Sequence, residues 1–146
     1  MRTLIRSALL ALVSASLLAA CADWPAQVRR HTYPPNFKYI EHGQLKSAMW
    51  QLAQNVHALD QVMREPATDD NVRRGEVLRL LTAMQASTKE LETEGRPSNH
   101  PVISDHLADF RRDLALARAG VQADPPNYYL VGSVSGACLV CHAPSS

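Results

Sequence analysis

The sequence predicts an all-α protein built as an antiparallel four-helix bundle. Three observations carry that prediction. Apolar residues recur at three- and four-residue spacing over long stretches, proline- and glycine-containing breaks separate those stretches, and no alternating run or hairpin signal competes. Amphipathic helices joined by short links favour up-down-up-down packing.

The first helix is expected over about 39–65. His42, Leu45, Met49, Leu52, Val56, Leu59 and Met63 share one stripe, and Pro66 ends it. Thr68, Asp69 and Asp70 offer an N-cap and first-turn acids for the second helix. Its stripe runs through Val77, Leu80, Leu81, Met84 and Leu91 to a stop at Gly95-Arg96-Pro97. Asn99-His100-Pro101 opens the third, where proline suits the first helical position. Its stripe is Ile103, Leu107, Phe110, Leu114, Ala117 and Val121, closed by Gly120 and Pro125-Pro126. The fourth segment, about 127–142, carries Leu130, Val134, Ala137 and Cys141 at helical spacing. No fixed-period repeat is present, although Pro-Pro-Asn precedes both the first and the last helix.

A length of 146 residues holds one compact domain. The 46% apolar content is too high for a disordered chain. A net charge of +1 without a basic block leaves no electrostatic footprint for nucleic acid.

Residues 1–20 read as a secretory signal: Arg2 and Arg6 supply the positive start, and an apolar stretch from Ala8 to Ala20 follows. That stretch is short of the ~20 residues a spanning helix needs. It ends in Leu18-Ala19-Ala20-Cys21, which resembles the bacterial lipobox. The resemblance implies lipidation of Cys21 and a membrane anchor on the periplasmic side. Ala22, rather than an aspartate, after the cysteine slightly favours the outer membrane. Residues 21–38, with Pro25, Pro34 and Pro35, then form an arm, and 39–146 form the helical domain.

Cys138-Leu139-Val140-Cys141-His142 carries the chemistry. Cys-x-x-Cys-His is the attachment signature of a c-type haem. Thiols three residues apart on a helix face the same side, so each can form a thioether to one porphyrin vinyl. The next histidine can reach the iron as proximal ligand. Three other readings compete. A thioredoxin-like pair belongs at a helix N-terminus after a strand, but here the pair ends the last helix. A structural zinc site needs a fourth ligand, which no second paired motif supplies. A disulfide closing so small a loop stabilises little.

Four helices with this box at the extreme C-terminus resemble the class II c-type cytochromes, the cytochrome c′ group and its six-coordinate methionine-ligated relatives. The stretch from Val134 to His142 is similar to that family's last helix. The resemblance implies one covalently attached haem c, and in this family the distal position falls on the first helix. Aligning Ser47-Ala48-Met49 with the matching family stretch makes Met49 the candidate distal ligand. Methionine–histidine ligation implies one-electron transfer with redox partner proteins the sequence does not identify, and with no acid–base pair, nucleophile or substrate pocket visible the chain is expected not to be an enzyme. His42, seven residues earlier on the stripe, is the rival ligand. A vacant distal site instead implies a five-coordinate protein that binds or buffers nitric oxide or carbon monoxide. Peroxidase-type or thiol–disulfide chemistry is the enzymatic alternative. Family members are often dimers, so a homodimer is expected on the same ground.

Two features depart from the family. Leu45 stands where an arginine commonly lies near the haem propionates, leaving Lys46 as the adjacent cation. The chain also ends four residues after the box, which predicts an exposed haem edge. Other residues receive plainer readings. His57 flanks the stripe, and His31, His100 and His106 are edge or solvated histidines. Met63 and Met84 are core, Trp24 is an arm residue beside the anchor, and Trp50 packs. A hydroxyl of Tyr128 or Tyr129 caps a backbone group, and the arginine pairs 73–74 and 111–112 lie on solvated faces.

Overall fold

The structure, a computed structural model, describes residues 28–29, 32–66 and 69–142. The signal segment, Cys21, Trp24, His31, Thr68 and the last four residues lie outside the described residues. The chain divides after Phe37 into two units. In the first, the rings of Tyr33 and Phe37 stack with centroids 4.5 Å apart.

The second unit is all-helical, with no strand among its described residues. Its elements are α1 (His42–Arg64), α2 (Asp70–Thr88) with a 3₁₀ turn at Lys89–Leu91, α3 (Pro101–Gln122), α4 (Tyr129–Val134) and α5 (Cys138–His142). α1 packs on α2, α2 on α3, α3 on α4, and α5 touches α3. Among the described residues no helix is long and apolar enough to cross a membrane.

The expected punctuation sets most boundaries. α1 stops just short of Pro66. Asp69 caps α2, its carboxylate accepting from the Asn71 N–H at 2.8 Å. Pro101 is the first residue of α3. α2 ends earlier than Gly95, and the chain reverses at Glu94 and Gly95, both with positive φ.

The fourth segment differs most from expectation. Residues 135–137 form a turn that splits it into α4 and α5. Gly132, Ser133, Ser135 and Gly136 crowd this stretch with weak helix formers, so nothing local holds a continuous helix there. The burial phase shifts too: Val131 is buried, whereas Leu130 is 38% exposed.

Two apolar clusters fill the interior. The larger is centred on Leu59, Leu80, Leu81, Met84 and Leu114, and the smaller is Ile40, Ala48, Leu91, Ile103 and Leu107. Met49 and Phe110 pack against both. Leu114 is fully buried, so Leu114→Ala is expected to cost about 2–5 kcal/mol in chemical unfolding.

A different restraint sits at the end of α3. A Cβ on Gly120 would stand 2.9 Å from the Asn127 carbonyl oxygen, and the Asn127 N–H donates to the Gly120 carbonyl at 2.9 Å. Gly120→Ala forces these backbones apart. We expect about 1–3 kcal/mol of destabilisation in the same assay, with a helical circular-dichroism spectrum retained.

Long polar side chains do more than the solvated-face reading allows. Arg74 donates to the Gln122 carbonyl at 2.7 Å, and Arg111 donates to the Gln85 carbonyl and the Thr88 hydroxyl at 3.1 and 2.8 Å. The Arg73 guanidinium lies over the Tyr128 ring, 5.4 Å from its centroid. The Tyr128 hydroxyl is buried and caps nothing among the described residues, and Tyr129 is exposed. Trp50 is 67% exposed, so it does not pack as expected.

Candidate functional site

The site begins with a clip between distant segments. Asn99 grips the backbone of Ile40 at both ends: the Ile40 N–H donates to its Oδ1 at 2.7 Å, and its Nδ2 donates to the Ile40 carbonyl at 2.9 Å. Beside it the Lys38 N–H donates to the Pro97 carbonyl at 2.9 Å. These bonds hold the entry to α1 against the entry to α3. Ile40 is fully buried, which anchors the clip in the smaller cluster.

Two adjoining cavities open where those helix starts meet the end of the described chain. The first, of about 330 Å³, is walled by Met49, Leu52, Ala53, Ile103, Leu107, Phe110 and Ala137. Cys138, Cys141 and His142 complete it. The second, of about 260 Å³, shares Met49, Ile103, Cys141 and His142 and adds Leu45, Asn99, His100, Pro101 and Val102. Met49, Ile103, Cys141 and His142 thus line both spaces, and Cys138 lines the first. α5 turns Leu139 and Val140 outward, at 70% and 59% exposure, and leaves the two cysteines half-buried.

The thiols of Cys138 and Cys141 are free. Burial, and secondarily the neighbouring Cys138 thiol, push Cys141 above the ordinary thiol value. Among the described residues no group of three His, Cys, Asp or Glu side chains is placed to hold a bare metal ion.

The residues present fit a c-type haem. Two free thiols and an imidazole border one apolar space, its walls are aliphatic and aromatic, and a thioether lies on the same space. Cys138 and Cys141 would hold the porphyrin through thioethers, with His142 as proximal ligand and Met49 as candidate distal ligand.

Other sequence candidates fall elsewhere. His42 is the first residue of α1, exposed, and borders neither cavity. Lys46 and His57 are exposed and likewise outside both cavity walls. Leu45 borders the second cavity. Sequence reasoning missed His100 as a site residue, since the structure sets it on the second cavity's wall. The available signal was its place in Asn99-His100-Pro101, because the start of the third helix shares its end of the domain with the start of the first. No protein-family model, curated protein or solved structure matches this chain.

Proposed function

We propose that the chain is a periplasmic monohaem c-type cytochrome, tethered by a lipid on Cys21 and folded as an antiparallel four-helix bundle like the class II cytochromes. Its work is one-electron transfer, and it is not an enzyme. The observation that supports this reading best is the convergence of Cys138, Cys141, His142 and Met49 on one apolar cavity.

When bound, haem supplies a one-electron Fe(III)/Fe(II) couple, with the electron coming from or going to a partner protein. Cys138 and Cys141 would each hold the group through a thioether, the S–H adding across one vinyl C=C so that nothing would leave and no oxidant would be needed. His142 and Met49 would hold the iron, and an imidazole–thioether ligand pair would raise the potential of the couple. Leu52, Ile103, Leu107 and Phe110 line that space with apolar side chains and would exclude water from a bound iron.

A second reading leaves the distal position vacant for nitric oxide or carbon monoxide. It is favoured by the packing of Met49 against both clusters, which is also what a pliable core filler does. Ferric and ferrous spectra of the matured protein, with and without carbon monoxide, separate the two. Low-spin spectra indifferent to the gas support electron transfer; high-spin iron that takes up the gas supports binding.

A further inference from the structure

We propose that His100 is the polar partner of the haem's propionate carboxylates, an inference that rests on the haem reading above. A haem brings two anionic groups to a site whose walls are otherwise almost wholly apolar, and a buried anion without a donor is costly. The second cavity's wall is Leu45, Met49, Pro101, Val102 and Ile103, with Cys141 and His142 of the box and two further polar residues, Asn99 and His100. Asn99 is occupied at both ends by Ile40. Lys46, the nearby cation on α1, is exposed and borders neither cavity.

His100 differs. Its backbone is pinned: its N–H donates to the Ser98 Oγ at 3.1 Å, and that hydroxyl donates to the His100 carbonyl at 2.9 Å. Ser104 Oγ lies 2.7 Å from the same hydroxyl, which steadies the turn. The half-buried imidazole itself has no hydrogen bond among the described residues. A fixed backbone, a free imidazole N–H and a place on the cavity wall suit a donor to a carboxylate.

Haem-loaded wild type, His100→Leu and His100→Arg are compared by absorption, resonance Raman and spectroelectrochemistry at one pH, with circular dichroism confirming the fold. Leucine is expected to shift the propionate-bending band and lower the midpoint potential. A less compensated carboxylate favours the more positive ferric iron. Arginine is expected to return both readings towards wild type, while the absorption spectra of all three agree. An unchanged band and potential in His100→Leu overturns the proposal. So does a leucine spectrum showing a lost axial ligand, which gives the imidazole to the iron instead. Wild type without covalent haem overturns the underlying cofactor reading, a failure visible before any variant is made.

Discussion

Cys138→Ser/Cys141→Ser protein, secreted from a host competent in cytochrome maturation, is expected to carry no haem through a denaturing gel. The wild type is expected to keep its haem under the same treatment. The effect is complete because covalent retention depends on two carbon–sulfur bonds, and serine oxygen does not replace the thiol in that addition. Each single variant retains one thiol for a thioether and is expected to give a reduced yield with one vinyl unreacted. His142→Ala leaves both thiols in place but removes the proximal imidazole, so any attached haem should lose its low-spin spectrum. The apolar wall formed by Leu52, Ile103, Leu107 and Phe110 explains why the unloaded protein should also be less stable. These side chains border the cavity of about 330 Å³, and space that no group fills forfeits packing contacts.

Met49→Ala is expected to convert low-spin iron that ignores carbon monoxide into high-spin iron that binds it, and to lower the midpoint potential. Met49→Leu is the sharper variant. Leucine preserves the volume packed against both clusters, at a stability cost of less than about 1.5 kcal/mol, yet it removes the sulfur. If the thioether is an iron ligand, leucine and alanine give the same gain of gas binding. If Met49 only fills space, leucine leaves the spectra as they were. Spectral change in both variants therefore assigns ligation, and change in alanine alone assigns packing.

Much of the site is legible in local sequence patterns. The unbroken spacing from Leu45 to Met63 puts Met49 on the half-buried side of α1. Pro66, Asp69 and Pro101 mark helix ends because proline and capping chemistry act on their immediate neighbours. The failures come from interactions that periodicity does not encode. Leu130 and Cys141 lie at helical spacing, but the intervening stretch of glycine and serine breaks the helix, so the stripe does not continue through it. Arg74 and Arg111 look solvated in sequence, yet each reaches a backbone carbonyl on a neighbouring segment. The Asn99–Ile40 clip joins residues 59 apart, and no local pattern announces it. That clip is also what brings His100 to the cavity rim, which is why a histidine read as an edge residue belongs to the site.

The most direct test is the intact mass of the secreted, matured protein together with its pyridine haemochrome spectrum. The expected result is one haem per chain, with the mass of the lipidated polypeptide increased by a single covalently bound porphyrin. Colourless protein at the mass of the bare polypeptide and its lipid would contradict the cofactor assignment.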